Sequence, residues 1–212
     1  RQKTDQLLYS LPVSTVQVIL GKYLALLVVF VIPLAIICAY PLIFAQFGEV
    51  YLATSYGSLF AFFLMGAALI ALGVFISSLS ENQGFAAGIG VAAIVLNYFS
   101  VTLSEYVSAT AAGSAMALFL LAAAIGLLIH YLTRNDNLAY GVALGLMAVI
   151  VITFFVDSSL FEGLLPRIMT TLSLFERLDV FVNGVFDLTA VVYYLSVAVF
   201  FLFLSVQSLE KR

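Results

Sequence analysis

The stretch VYLATSYGSLFAFFLMGAALIALGVFISSLS, residues 50–80, contains no charged side chain and decides the fold. An α-helix rises about 1.5 Å per residue, so about 20 apolar residues cross the roughly 30 Å hydrocarbon core of a bilayer. Five further charge-free stretches occupy residues 23–48, 82–104, 106–133, 137–156 and 188–209. We therefore predict an all-α fold, a polytopic transmembrane helix bundle with six visible spans.

The composition agrees with a protein whose main solvent is membrane lipid. Of the 212 residues, 64% are hydrophobic and 9% are charged, whereas soluble domains carry about 25% charged residues. The eight Lys and Arg residues are scattered and form no basic patch interleaved with aromatic side chains, which argues against nucleic acid as a partner. The single cysteine, Cys38, lies inside a hydrophobic run and is expected to be an apolar filler.

Two serine–glutamine pairs predict where helices begin. Ser14 with Gln17, and Ser80 with Gln83, fit the capping box. In this motif the serine oxygen and the glutamine side chain satisfy amide groups that the first helical turn leaves unbonded. We expect one helix to start near Thr15 and another directly after Ser80.

The distribution of Lys and Arg predicts the orientation in the membrane. Cytoplasmic loops carry an excess of these residues. With six alternating spans, six of the eight Lys and Arg residues fall on one side: Arg1, Lys3, Lys22, Arg134, Lys211 and Arg212. Only Arg167 and Arg177 fall on the other side. We therefore predict a multi-pass protein of the cell membrane, with both ends of this chain in the cytoplasm.

Small residues and one amide mark candidate contacts inside the spans. Gly84 and Gly88, and likewise Gly141 and Gly145, are spaced by four, which lets helix backbones approach closely in lipid. These four glycines are predicted helix-packing positions. Asn97 is the most polar side chain deep in a span, and it either packs against a neighbouring helix or lines a translocation pathway.

The connection between the fifth and sixth spans is amphipathic. Apolar residues recur there at spacings of three and four: Phe161, Leu164, Leu165, Ile168, Leu172 and Phe175. Glu162, Arg167 and Glu176 lie on other faces of the same helical pattern. The pattern predicts an amphipathic helix at the outer interface, over about residues 158–186.

The sequence lacks the residues that several kinds of chemistry require. No G-x-x-x-x-G-K-[ST] phosphate loop occurs, so this chain is not expected to hydrolyse ATP. One His and one Cys cannot build an ordinary zinc site. His130, about one turn before Arg134, is expected to be an interfacial side chain, with a proton-relay role as the alternative. The spans lack the mid-membrane charges on which ion-coupled carriers depend.

Three blocks of the sequence resemble a type-2 ABC transporter permease. They are RQKTDQLLYSLPVS (1–14) followed by VILGK (18–22); GAALIALGVFISSLSENQ (66–83); and LFERLD, NGVFD and YYLS continuing to SLEKR (174–212). The second block ends in the cytoplasmic loop motif Ser80, Glu81, Asn82 and Gln83. The resemblance covers nearly the whole chain and is closest to the gliding-motility-type, multidrug-export-like branch. The sequence departs from it at Lys3-Thr4, where the family often has Gly-Thr.

The resemblance implies an exporter in which two permease subunits, identical or different, meet two separate ATPase subunits. Residues 1–14 would form the cytoplasmic coupling helix, and residues 15–212 the transmembrane permease domain. The ATPase-coupling positions would be Arg1, Gln2, Lys3, Thr4, Asp5 and Gln6. ATP and Mg would be bound by the ATPase partner, with no cofactor in this chain. The family has two more helices before the front motif, so we expect an N-terminal truncation and eight spans in the full-length chain.

Two other classes of function share these features. A non-transporting membrane scaffold or assembly subunit would have the same spans and charge asymmetry but no need of an ATPase. An ion-coupled carrier would lose transport when the ion gradient collapses and keep it when ATP is removed. Co-purification with an ATPase separates the first alternative from a permease.

The six-span topology predicts which positions are reachable from each side of the membrane. Cysteines introduced at Asn135 and Lys211 should react only with reagents that enter the cytoplasm. A cysteine introduced at Asp157 should react with impermeant reagents from outside. Labelling of all three cysteines from one side would contradict the predicted topology.

Overall fold

Six helices of the described chain are long and apolar enough to cross a membrane. The computed structural model describes residues 14–80, 82–133 and 135–210, and no β-strand occurs within these ranges. The candidate spans are Thr15–Phe44, Leu52–Leu79, Gln83–Tyr106, Ala111–Tyr131, Asp136–Val156 and Leu188–Glu210. The predicted all-α polytopic transmembrane helix bundle is confirmed.

The helices are numbered here in chain order. They are α1 Thr15–Ile37, α2 Tyr40–Phe44, α3 Leu52–Leu79, α4 Gln83–Tyr106, α5 Ala111–Thr133, α6 Asp136–Val156, α7 Leu164–Leu172, α8 Leu174–Val182 and α9 Leu188–Glu210, with a 3₁₀ turn at Ser158–Phe161. Two compact units divide the chain: unit 2 is Asn97–Ser173, and unit 1 comprises the described residues before Asn97 together with Leu174–Glu210. The boundary falls within α4, so this helix contributes to both units.

The first predicted capping box is confirmed. Ser14 precedes α1, and its Oγ accepts a hydrogen bond from the Gln17 amide at 3.4 Å. The Gln17 side-chain oxygen accepts in return from the Ser14 amide at 3.1 Å. These two bonds satisfy amide groups that would otherwise be unbonded where the helix begins.

The second predicted helix start differs from the structure. α4 begins at Gln83 rather than directly after Ser80. The Asn82 side-chain oxygen accepts from the amides of Gly84, at 2.9 Å, and Phe85, at 3.3 Å. Ser80 Oγ accepts from the Asn82 amide at 3.2 Å, which tightens the turn before the helix. Asparagine therefore caps α4, because its side chain reaches the first-turn amides from the adjacent position.

The first span is interrupted near its end. α1 ends at Ile37, and α2 starts at Tyr40 with Pro41 in its first turn. Proline has no amide hydrogen to continue a helix but fits a first turn, where that hydrogen has no partner. The Tyr56 hydroxyl of α3 donates to the Cys38 carbonyl at 3.1 Å, so a side chain satisfies a backbone group at the interruption.

Unit 1 is built around α3, which packs against α9, α8 and α1. Its core consists of Ala61, Leu64, Met65, Ala68, Leu174, Phe181, Ala190 and Tyr194. The three alanines are fully buried, and their small side chains let the helix backbones come close together. Gly66 of α3 does the same for α1, because a Cβ at Gly66 would overlap the ring of Phe30.

Unit 2 contains the α5–α6 hairpin, whose two helices pack closely at Gly126. A Cβ added at Gly126 would lie 2.6 Å from the Cβ of Ala143 on α6. A rigid methyl group cannot move aside as a long side chain can. Glycine at position 126 therefore sets how closely α5 and α6 pack.

The predicted helix-packing glycines do not make such contacts within the described chain. A Cβ at Gly88, Gly141 or Gly145 would meet no atom within 4 Å beyond its own helix, and one at Gly84 would meet only the neighbouring Asn82 side chain, at 3.4 Å. Spacing in the sequence shows which residues share a helix face, but it does not show what that face contacts. A contact with a partner subunit at these glycines stays a prediction.

The close packing of α5 against α6 can be tested with one destabilising substitution and a second substitution that compensates for it. Gly126→Ala should lower the thermal unfolding temperature of the purified protein, because two methyl groups would overlap, and overpacking of this kind costs about 1–3 kcal/mol. Adding Ala143→Gly moves the single methyl to the other helix and should restore most of the loss. Gly145→Ala serves as the control and should keep or slightly raise the unfolding temperature, because a Cβ there meets no atom and alanine favours a helix more than glycine does. Equal effects of Gly126→Ala and Gly145→Ala would contradict the packing described for unit 2.

Candidate functional site

Some predicted site residues lie outside the described ranges. These are the coupling positions Arg1, Gln2, Lys3, Thr4, Asp5 and Gln6, together with Glu81 of the loop motif. Of the other three residues of the loop motif, Ser80 and Asn82 lie between α3 and α4 and are hydrogen-bonded to each other, and Gln83 is the first residue of α4. Their hydrogen bonds position the start of α4 and suggest no chemistry of their own.

The segment between α6 and α9 differs from the single interfacial helix predicted over residues 158–186. It consists of the 3₁₀ turn, α7 and α8. Ser173 separates the two helices with extended backbone angles, φ −66° and ψ 126°. The amphipathic pattern of apolar residues is present, but the segment packs against membrane-spanning helices in each unit, as the following contacts show.

In unit 2, α4 and α5 hold both ends of α7. Gly163 precedes α7 in the left-handed region, with φ 66°, a conformation that glycine adopts without strain. Its amide donates to the Ala109 carbonyl at 2.8 Å. The amide of Leu165 donates to Ser114 Oγ of α5 at 3.3 Å, and Ser114 is fully buried. A membrane-spanning helix thus caps the start of α7.

The end of α7 is held by Asn97. The Asn97 side-chain amide donates to the Leu172 carbonyl at 3.1 Å. Asn97 stands nine residues before the end of α4, so this bond lies about 13 Å along the helix from that end. α4 is 24 residues long, or about 36 Å, and exceeds the bilayer core by only a few ångströms. In a bilayer that α4 crosses evenly, the end of α7 would therefore lie within the hydrocarbon core.

In unit 1, α8 is embedded along α3 and α9. The hydroxyl of Tyr194, which is 1% exposed, donates to the Leu174 carbonyl at 2.7 Å. At the other end of α8, the Phe181 carbonyl accepts from Ser58 Oγ of α3 at 3.1 Å. Tyr194 and Ser58 each stand six residues, about 9 Å, from the start of their helices. Both ends of α8 therefore contact spans well inside their first third.

The interruption at Ser173 has bonded backbone on both sides. Lipid offers no hydrogen bonds, so non-helical backbone at membrane depth must find partners within the protein. Asn97 bonds the carbonyl before Ser173, and Tyr194 bonds the carbonyl after it. Ser173 itself is fully buried, and its hydroxyl lies 3.5 Å from the Asn97 carbonyl. These bonds allow a break between two helices to lie inside the membrane.

Asn97 was predicted to have one of two roles, and the structure supplies contacts for the packing role. Its side chain holds α7, and its carbonyl accepts from Ser100 Oγ at 2.7 Å. A pathway role for Asn97 stays a prediction. Tyr194, Ser114 and Ser58 were not anticipated. Their only sequence signal was a hydroxyl group in an apolar span, which many residues of this chain share.

α8 carries three charged residues into this embedded segment. The guanidinium of Arg177 lies 4.0 Å from the centre of the Tyr193 ring, a cation–π contact. Glu176 and Asp179 are exposed on the chain, on the side of α8 away from buried Leu174. A charge facing hydrocarbon costs several kcal/mol, so charged residues beside membrane spans pair with one another or face water, a polar cavity or another protein surface.

His130 pairs with a residue of the following helix. Its Nδ1 lies 2.8 Å from an Asp136 carboxylate oxygen, and both side chains are more than half exposed. The pair joins the end of α5 to the start of α6 across their short connection. Within residues 14–80, 82–133 and 135–210, no group of three or more His, Cys, Asp or Glu residues could hold a metal ion.

The fold and the embedded segment define a multi-pass α-helical membrane protein. The chain matches no protein-family model, no curated protein and no solved structure.

The bond that holds α8 to α9 can be tested by a single hydroxyl deletion. Tyr194→Phe leaves the Leu174 carbonyl without its partner and should destabilise the purified protein by about 1 kcal/mol, the usual size for such bonds in membrane proteins. Thermal unfolding in detergent measures the effect. Tyr140→Phe, at an exposed position on α6, is the matched control. If both variants unfold at the wild-type temperature, the Tyr194 bond does not stabilise the embedded segment.

Proposed function

We propose that this chain is the membrane permease subunit of an ATP-driven exporter of the type-2 ABC class. Two such subunits form the translocation pathway and alternate its access between the two sides of the membrane. A separate ATPase subunit binds ATP and Mg and supplies the energy. The observation that carries this proposal is α8, a charged helix embedded beside membrane spans.

The charges on α8 favour a polar surface inside the protein's membrane domain. Glu176 and Asp179 are exposed on this chain although α8 packs along α3 and α9. Carboxylates within a membrane segment are rare and mark a functional site by default. In a permease, these groups would face the water-filled pathway or the polar surface of a second permease subunit.

The charge distribution of the spans favours an energy source outside the chain. The charged residues of the described spans are Lys22, Glu105, Asp136 and Glu210, and each lies toward a helix end. An ion-coupled carrier keeps a carboxylate or basic group at mid-membrane to bind the driving ion. The resemblance of the three sequence blocks to type-2 ABC permeases implies an ATPase as the source, with residues 1–14 as its proposed contact.

The coupling role of residues 1–14 provides the decisive experiment. A variant that combines Lys3→Glu, Asp5→Lys and Gln6→Pro reverses two charges and inserts a proline, which costs about 3 kcal/mol in a helix interior. The spans are held by lipid and by one another, so expression and membrane insertion should stay near wild type. Co-purification of the ATPase subunit and ATP-dependent export should both fall.

The control variant reverses two charges on the predicted outer side of the membrane. Glu162→Lys with Arg167→Glu changes as many charges as the test variant but lies outside the proposed ATPase contact. It should keep the ATPase bound. If the ATPase stays bound and active with the variant changed at residues 3, 5 and 6, the proposed permease function loses its support. A chain that never co-purifies with an ATPase would favour the scaffold, and export driven by an ion gradient alone would favour a carrier.

A further inference from the structure

In the first span, α1 is anchored to the rest of unit 1 along its length. Ile19, in its second turn, and Leu34, in its last turn, are buried. The Tyr23 hydroxyl donates to a backbone carbonyl of α3 at 3.3 Å. The ring of Phe30 fills the space that Gly66 leaves open on α3. These contacts hold α1 in place up to the interruption of the span.

Beyond the interruption, α2 has no comparable anchor. It contacts α3, but none of its five residues, Tyr40–Phe44, is buried. The turn after α2 is tied to α2 by its backbone, because the amides of Gln46 and Phe47 donate to carbonyls of α2 at 3.1 and 2.9 Å. Phe47 is 84% exposed. Residues 40–47 thus form one short unit, which we call the flap.

The junction between α1 and the flap lacks part of the helical bonding. Pro41 has no amide hydrogen, so the Ile37 carbonyl receives no bond from the residue four positions on. The Ala39 amide instead closes a tight turn on the Ile36 carbonyl, three residues back, at 3.1 Å. Helices bend at prolines, where the ladder of backbone bonds is incomplete. The junction is therefore the point at which the first span can bend.

A side chain of α3 bonds this junction. The Tyr56 hydroxyl donates to the Cys38 carbonyl at 3.1 Å. α1 has 23 residues and rises about 34 Å, slightly more than the roughly 30 Å core of a bilayer. In a bilayer whose core α1 crosses from end to end, this bond lies at the edge of the core, where water can replace the hydroxyl. The bond can then open without leaving the carbonyl unbonded.

We propose that the flap is hinged at Cys38 and Ala39 and moves between two positions while α1 stays docked on α3. In the closed position Tyr56 bonds the Cys38 carbonyl, and in the open position water bonds it. Segments with few buried contacts and accessible backbone bonds open at a low free energy, and hinges are a few residues at the ends of elements. The inference rests on the contacts of the first span and does not depend on the proposed transport function.

Distances between pairs of spin labels test the hinge. In a Cys38→Ala background, which keeps the backbone carbonyl, one label is attached at Leu188→Cys, at the start of α9. The second is attached at Leu42→Cys in the flap or at Ile36→Cys in the last turn of α1, and all three native side chains are more than half exposed. The protein is diluted with unlabelled protein in lipid nanodiscs, so that double electron–electron resonance reports distances within one chain. The Leu42 pair should give a broad or two-peaked distribution, and the Ile36 pair a single narrow one.

Three substitutions test the parts of this device. Tyr56→Phe removes one hydrogen bond of the closed position and should raise the ratio of open to closed about fivefold. Pro41→Ala restores the missing amide and should narrow the Leu42 distribution toward that of the Ile36 pair. Tyr51→Phe deletes the hydroxyl of an exposed tyrosine five residues before Tyr56 and should leave the distribution unchanged.

Four results would overturn the proposal. If the two label pairs give equally narrow distributions, the flap does not move, and if they give equally broad ones, the whole span moves. If Tyr56→Phe has no more effect than Tyr51→Phe, the Tyr56 hydroxyl does not hold the closed position. An unchanged Leu42 distribution in Pro41→Ala would show that the interruption is not the hinge. Should Pro41→Ala fail to fold, the two label pairs and the two tyrosine variants decide the question without it.

Discussion

Inside a lipid bilayer, every backbone N–H and C=O group must be bonded within the protein, and the structure depends on this constraint. Six long helices meet it by their own internal bonds. At several places where the described chain departs from a long helix, a side chain of a spanning helix meets it instead. Tyr56 bonds the carbonyl at the break in the first span, Ser114 caps the start of α7, and Asn97 and Tyr194 bond the carbonyls on either side of Ser173.

The same constraint explains why a few hydroxyl and amide groups of the membrane segments determine how the elements are joined. Ser114 and Tyr194 are almost fully buried, and each bonds a group outside its own helix. Ser173, buried between α7 and α8, bonds the Asn97 carbonyl of α4. Ser100 and Thr153 instead bond carbonyls of their own helices and join no elements together. A hydrogen bond to another element therefore distinguishes the residues that position the segment between α6 and α9.

Close packing in the spans comes from small residues rather than from a hydrophobic driving force, because lipid is as apolar as the side chains. Ala61, Ala68 and Ala190 bring helices together in unit 1, and Gly126 does so against Ala143 in unit 2. Hydrogen bonds from side chains of the spans then fix where α7 and α8 pack. Together these features let an embedded α8 carry Glu176, Arg177 and Asp179 beside apolar spans, which is the basis for proposing a transport pathway.

The sequence by itself determined the fold class, the six spans and the start of α1, because these follow from local properties: runs of apolar residues, the rise of a helix and a capping box at Ser14. It did not determine the path of residues 157–187. The periodicity of this segment is the same whether its apolar face lies on a membrane surface or against other helices. Only the tertiary structure placed Leu174 against Tyr194, Leu172 against Asn97 and Arg177 over Tyr193, because these contacts join residues far apart in the chain, and no local pattern encodes such a pairing.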